Sequence, residues 1–157
     1  MEQKIITVRD IMTEKCISVH PDTGLLEAAR LLFENKFDGL PVVDSQNVLV
    51  GILTEYDLIS KGSLVHLPTL QFLLSNLPAF KKDRSQFEKE IHEVSSLTVQ
   101  DVMNTDPLTL PESATFNDTV AAFRDHHRVN PIPVIDDSHT VVGVVSRFDI
   151  LKPFHFI

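Results

Sequence analysis

The sequence predicts an α/β fold in which one βαββα-type unit is written twice and the two copies are joined by a helical connector. Three observations predict it. Val8-Arg9-Asp10-Ile11-Met12 returns as Val99-Gln100-Asp101-Val102-Met103, and Ile17-Ser18-Val19 as Leu108-Thr109-Leu110, both at an offset of 91. Leu40-Pro41-Val42-Val43-Asp44 returns as Ile132-Pro133-Val134-Ile135-Asp136 at an offset of 92. At that same offset of 92, Val50-Gly51-Ile52-Leu53-Thr54-Glu55-Tyr56-Asp57-Leu58 returns as Val142-Gly143-Val144-Val145-Ser146-Arg147-Phe148-Asp149-Ile150. A fixed internal period marks a repeat architecture, and the step from one offset to the other places one inserted residue ahead of the prolines. The expected organisation is a first repeat over 1–63, a connector over 64–97 and a second repeat over 98–157.

In the first repeat, Val8 to Met12 is a short helical turn with Val8, Ile11 and Met12 on one apolar face. Ile17-Ser18-Val19 is a short strand ending at His20-Pro21. Asp22 or Thr23 caps a helix on which Leu25, Ala28, Ala29, Leu32 and Phe33 recur at helical spacing. Glu34, Lys36 and Asp38 make its end polar, and Gly39 breaks it. Leu40–Val43 and Val48–Leu53 are apolar and rich in β-branched residues. Asp44-Ser45-Gln46-Asn47 between them reads as the turn of a hairpin. Continuous apolarity predicts burial on both faces of a small sheet. Thr54 then stands at an N-cap with Asp57 three residues on, the spacing of a capping box.

The connector carries two amphipathic stripes. Leu67, Leu70, Leu74 and Leu77 follow Pro68, and a Ser85/Glu88 capping signal precedes Phe87, Ile91 and Val94. These faces are expected to pack on the module's own sheet or across a dimer; the alternative is a docking face for a partner or a membrane surface, with the acidic and mixed charge of 81–93 arguing against anionic lipid. The second repeat has Leu108–Leu110 as strand and Thr115/Asp118 capping a helix with Phe116, Val120 and Phe123. His126-His127-Arg128 ends that helix in cationic residues. Asn130-Pro131-Ile132-Pro133 enters the hairpin, Asp136-Asp137-Ser138-His139 is its turn, and the last helix runs from Ser146 until Pro153 stops it.

Composition narrows the function classes. Of 157 residues, 43% are hydrophobic and 23% charged, an ordinary globular balance. A net charge of −8 without a long Lys/Arg cluster disfavours nucleic acid and anionic membrane as partners. Cys16 is the single cysteine, so no internal disulfide forms and a reducing, cytoplasmic setting is expected. No run of about 18 apolar residues occurs, and no cationic segment leads into an apolar one at the start, so neither a membrane span nor a signal peptide is expected.

The order Asp-Ile-Met, helix, Leu-Pro-Val-Val-Asp, then Gly-Ile-Leu-Thr-x-x-Asp-Leu resembles a cystathionine-β-synthase-type (CBS) domain. Two copies in one chain resemble the tandem pair called a Bateman module, over roughly 8–60 and 97–152. The resemblance implies two βαββα-type repeats packed with pseudo-two-fold symmetry, commonly as a flat homodimer, with adenine nucleotides bound between the repeats. A ribose fits the Thr/Ser–Asp pairs chemically, because its hydroxyls are donors and a carboxylate is a pure acceptor. A helix N-terminus suits a phosphate. By the resemblance Thr54, Asp57, Ser146 and Asp149 supply the polar end of each site. Residues around Ile17, Leu40-Pro41, Leu108 and Ile132-Pro133 would line the slots for the base.

The copies differ in charge. Arg147 stands where the first copy has Glu55, and His126, His127 and Arg128 lie close by in sequence, against Lys36 in the first copy. The expectation is that the Ser146/Asp149 site is the better phosphate binder; the alternative is that these cations merely complement an acidic surface. Catalysis finds little support. No histidine sits in a metal-binding frame. His126 and His127 are adjacent, so on a helix they would point about 100° apart. Asp136-Asp137 is ordinary turn chemistry. The reading is therefore a non-enzymatic regulatory module without resident cofactor or metal. Its ligand would be AMP, ADP, ATP or S-adenosylmethionine, and a regulated protein its possible partner. The alternative is a protein-interaction module with degenerate sites.

Overall fold

The computed structural model describes residues 5–60 and 95–156. The predicted connector helices, with the Leu67–Leu77 and Phe87–Val94 stripes, lie outside the described residues. Helix α1 (Val8–Ile11) is followed by α2 (Leu25–Asn35), the hairpin β1 (Gly39–Val43) and β2 (Leu49–Thr54), and α3 (Glu55–Ser60). The second repeat runs from a 3-10 turn (Val99–Asp101) through β3 (Leu110–Pro111), α4 (Phe116–Asp125), β4 (Ile132–Ile135) and β5 (Val141–Val145) to a 3-10 helix, Arg147–Phe156.

Both hairpins are antiparallel and carry an irregularity at the equivalent place, between Val42 and Val43 and between Val134 and Ile135. Their turns are built alike. Asp44 Oδ1 accepts from the amides of Gln46 and Val48, and Asp136 Oδ1 from those of Ser138 and Thr140. Asn47 and His139 complete the turns in the left-handed region, at φ of 64° and 61°. β1 is buried throughout, as its continuous apolarity predicts, whereas β5 alternates buried with half-buried residues. The first strand of each repeat is shorter than its sequence suggests. β3 pairs parallel with β4 over two residues, and Ile17–Val19 contributes one parallel bridge, Val19 to Val42.

Helix ends differ from expectation for local reasons. Gly24, rather than Asp22 or Thr23, is the N-cap of α2, because Thr23 Oγ1 is taken by the amide of His20 at 3.0 Å. Lys36, not Gly39, adopts the left-handed C-cap, with φ 55° and its amide on the carbonyls of Leu32 and Phe33. Gly39 is a strand residue pressed against the second repeat, where a β-carbon would lie 2.8 Å from Pro131 Cδ. α4 starts at the predicted cap, Thr115, and ends at Asp125; His126 is its C-cap, so His127 and Arg128 lie in the following turn. Pro153 sits inside the final 3-10 helix instead of ending it, since proline's fixed φ suits that geometry and removes only a donor.

The two repeats exchange their leading segments. Thr7–Thr13 packs on the second repeat: the Val8 amide donates to Ala114 O, and Thr13 bridges Val144 of β5. Thr98–Asn104 packs on the first in the same manner, with the Val99 amide on Thr23 O and Asn104 bridging Ile52 of β2. Each segment opens with a capping box, Thr7/Asp10 and Thr98/Asp101. Accordingly Val99 and Val102 belong to the core of Leu25, Leu32, Leu40 and Leu53, while Val8, Ile11 and Met12 belong to the core of Phe123, Ile132 and Val145. Full burial of one such side chain contributes about 1.5–3 kcal/mol, so the exchange ties the stability of each repeat to the other.

A pseudo-two-fold relates the repeats, and its contacts come in matched pairs. The Leu49 amide donates to His139 O and the Val141 amide to Asn47 O, with Val48 bridging Thr140 between them. On the same relation Asp38 meets Asn130, its counterpart 92 residues on.

Candidate functional site

β2 and β5 each run straight into a helix, and the residue at each junction is a hydroxyl. The Thr54 amide and Oγ1 donate to Asp57 Oδ2 at 3.0 and 2.7 Å, and the Asp57 amide returns to Thr54 Oγ1 at 3.2 Å. The Ser146 amide and Oγ donate to Asp149 Oδ2 at 2.7 and 2.9 Å. Asp57 and Asp149 are each 8% exposed. The sequence-predicted pairs are thus formed, buried and equivalent. Their second oxygens differ: Asp149 Oδ1 is 2.7 Å from Lys152 Nζ, which also donates to Ile11 O. Asp57 makes its cap bonds alone among the described residues, and the sequence carries Ser60 at the position of Lys152. Lys152, three residues after Asp149, was open to discovery by helical spacing.

Most of the N-terminal amides expected to await an anion are already used. Besides the caps, the Glu55 amide donates to Asp38 O at 3.2 Å, the Arg147 amide to Asn130 Oδ1 at 3.0 Å and the Asp149 amide to Ser146 O at 3.0 Å. These short helices satisfy their own ends from neighbouring loops, so an anion there depends chiefly on side chains.

The charge difference between the copies becomes spatial. Burial pushes the Glu55 carboxyl above its ordinary value, and the nearby charges of Asp38 and Asp57 push in the same direction, against stabilising backbone amides of Glu55 and Tyr56. In the second repeat the Arg147 guanidinium donates to His127 O. Arg128 crosses to the first repeat, donating to the Tyr56 hydroxyl at 3.2 Å with its guanidinium 5.9 Å from the ring centroid. Arg147 therefore gathers the His127 backbone, while Arg128 is spent on Tyr56; His126 caps α4, and Lys36 is an exposed C-cap. Sequence reasoning missed Asp38, Asn130 and Tyr56, since no motif marks a residue that acts across a pseudo-symmetry axis.

The predicted base-slot residues divide. Ile17 is 40% exposed and Leu108 half-buried, each two residues ahead of the bridge that joins its segment to the central strand. Leu40 and Ile132 are fully buried, as are Pro41 and Pro133. The leading halves of β1 and β4 are laddered to β2 and β5; the parallel bridges begin at Val42 and Val134, although the Val19 amide already donates to Pro41 O at 3.0 Å. A flat edge seeking hydrogen bonds would meet backbone there, with Ile17 or Leu108 beside it. Cys16 is half-buried, and burial raises its thiol above the ordinary value, which makes it a weak nucleophile. Among the described residues no group of three His, Cys, Asp or Glu side chains could hold a metal ion, and no helix is long and apolar enough to cross a membrane.

Comparison with known proteins places this arrangement. The family model of the CBS domain matches residues 8–63 and 99–155. An uncharacterised protein of Methanocaldococcus jannaschii is 30% identical over 95% of this chain and 91% of its own length. The L-aspartate semialdehyde sulfurtransferase of the same organism is 27% identical over 98% of this chain, which spans 24% of that protein. The chloroplastic CBS domain-containing protein CBSX1 of Arabidopsis thaliana is 27% identical, with 94% of this chain spanning 64% of it. Among solved structures, CBSX2 in complex with AMP superimposes with a TM-score of 0.71 at 25% identity, covering 96% of this chain and 97% of that one.

Proposed function

Since the chain belongs to the CBS domain family and carries two of its repeats, we propose that it is a non-catalytic regulatory module that binds adenine nucleotides at the two Thr/Ser–Asp sites. The observation that carries this reading is the pair of equivalent, buried carboxylates, Asp57 and Asp149, each held by a hydroxyl cap where a central hairpin strand enters a helix. A carboxylate anchored through one oxygen can accept ribose hydroxyls on the other. Support comes from the similar protein CBSX2, crystallised with AMP. Ile17 and Leu108 flank the base, with the backbone leading into Leu40-Pro41 and Ile132-Pro133 reading its edge.

The sites are unequal in this proposal. Arg147 favours a phosphate beside Ser146 and Asp149, whereas the acidic set Asp38, Glu55 and Asp57 disfavours one beside Thr54. The module works as a homodimer in the cytoplasm. Tyr56 and Phe148, equivalent residues exposed by 44% and 80%, offer apolar surface for that contact. Binding reports to a partner protein by favouring one arrangement of repeats or protomers, which requires different affinities for the two arrangements.

Calorimetric titration of the folded protein with AMP, ADP, ATP and S-adenosylmethionine tests the reading. Saturable binding to at least one, reduced in Asp149→Ala, supports it. Absence of binding to all four would overturn it and favour a protein-interaction module.

A further inference from the structure

We infer that Asp38 and Asn130 form a junction through which the two nucleotide sites repel each other's anions, an inference that rests on the function proposed above. Three hydrogen bonds stand in series across the pseudo-two-fold. The Glu55 amide donates to Asp38 O at 3.2 Å, Asn130 Nδ2 donates to Asp38 Oδ2 at 2.7 Å, and the Arg147 amide donates to Asn130 Oδ1 at 3.0 Å. Each end is the first residue of the helix whose third residue is a site carboxylate, Asp57 or Asp149. The Asn130 side chain serves here because it donates to a carboxylate and accepts from a backbone amide at once, which a carboxylate in its place could not do. At the equivalent position the first repeat has Asp38, so the device is asymmetric by one functional group.

The consequence follows from charge. An anion at the second site draws the Arg147 guanidinium from His127 O and shifts the helix start that Asn130 holds. Asn130 then loosens its grip on Asp38, whose carboxylate turns its full charge on the already acidic surroundings of Glu55. A second anion binds there more weakly. A neutral adenosine ligand draws no guanidinium and leaves the junction closed, so the repulsion is specific to phosphate-bearing ligands. Gly39 against Pro131, next in sequence on each side, holds the two repeats in contact at the junction.

Calorimetry with AMP and with adenosine, on the natural protein, Asn130→Ala and Asp38→Asn, tests this. The natural protein should bind a second AMP about fivefold or more weakly than the first after correction for the affinities measured in Asp57→Ala and Asp149→Ala, a typical allosteric coupling. In both variants the coupling should fall toward onefold, and adenosine should show none in any of the three. Equal coupling in the natural protein and both variants would overturn the junction while leaving nucleotide binding intact. A second measurement needs no ligand. In 15N-amide spectra, Asn130→Ala should shift the Glu55 amide as well as that of Arg147, although the hydrogen bonds of Asn130 go to Asp38 and Arg147 and not to Glu55. An unmoved Glu55 amide would overturn the junction even if no nucleotide binds.

Discussion

Gly143 faces the carbonyl of Thr13 so closely that a β-carbon built on it would lie 2.7 Å from that oxygen and 2.9 Å from Met12 Sδ. Gly51 stands in the same relation to Asn104 O and Met103 Sδ, at 2.7 and 2.9 Å. The repeated glycine therefore exists to admit the exchanged segment of the other repeat against the strand. Gly143→Ala should destabilise the protein by about 1–3 kcal/mol, the range for forcing atoms into a packed site. Chemical denaturation followed by circular dichroism measures it, and an unchanged midpoint would contradict the close approach.

The exchange of segments has its own signature. Ile11 is 2% exposed and lies in the core with Phe123, Ile132 and Val145, although the sequence places it at the head of the first repeat. Ile11→Ala should cost about 2–5 kcal/mol. Hydrogen exchange should quicken first in β4 and β5, and Val99→Ala should do the reverse, loosening β1 and β2. Loosening confined to β1 and β2 in Ile11→Ala would refute the exchange.

Glu55 makes stability depend on pH in a predictable direction. Its folded carboxyl is raised, mainly by burial and then by Asp38 and Asp57, so the folded state holds the proton more tightly than the unfolded chain. The stabilisation from that proton is complete below the ordinary glutamate value of about 4.3 and is lost as pH rises through the raised value. Asp101 and Asp118 act oppositely. Their carboxyls are lowered, Asp101 by hydrogen bonds from the Thr98 amide and then its hydroxyl, Asp118 by the Thr115 hydroxyl and then its amide. Their contributions are present above the ordinary range and lost as pH falls through the lowered values. Glu55→Gln should thus be more stable than the natural protein at pH 7, with the difference shrinking toward pH 4. Melting curves across that range decide it, and a gap that widens on acidification would contradict the assignment.

The N-cap of α2 is open to improvement. Gly24 lies at φ −58° with no side-chain hydrogen bond to the helix, and a β-carbon there meets nothing within 4 Å. Gly24→Ser should stabilise by a few tenths of a kcal/mol, the usual margin of a hydroxyl cap over glycine. Thermal denaturation checks the sign, and a loss would show that the loop cannot turn a hydroxyl toward the helix.

What the sequence revealed and what it hid divide along a physical line. The hairpins, their Asp-led turns and the caps at Thr54, Thr115 and Ser146 depend on neighbours within a few residues, and all were legible. The ends of α2 were misplaced because Thr23 and Lys36 answer to local hydrogen bonds that propensity does not describe. The partners of Met12, Gly51, Asp38 and Asn130 all lie more than 50 residues away in sequence. The repeat pattern showed that these residues correspond but not that the segments change places. Lys152 was legible in principle, since it lies one helical turn beyond Asp149.

Lys152 supplies the last test, because it occupies the oxygen that a ribose would need. Its ammonium is 2.7 Å from Asp149 Oδ1 and also donates to Ile11 O, and its side chain is 46% exposed. An ion pair with one partner in water contributes about 0–1 kcal/mol, so its removal should leave the fold nearly as stable. A ligand whose hydroxyls donate to Asp149 Oδ1 must first displace the ammonium. Lys152→Met keeps the stem that packs along the surface and removes the competitor. If the ribose goes to Asp149, AMP should bind the second site up to about fivefold more tightly in Lys152→Met, the counterpart of roughly 1 kcal/mol. Titration in an Asp57→Ala background isolates that site. A fall in affinity would mean instead that the ammonium turns to the phosphate when the ligand arrives, and that Lys152 works beside Arg147 as part of the anion site.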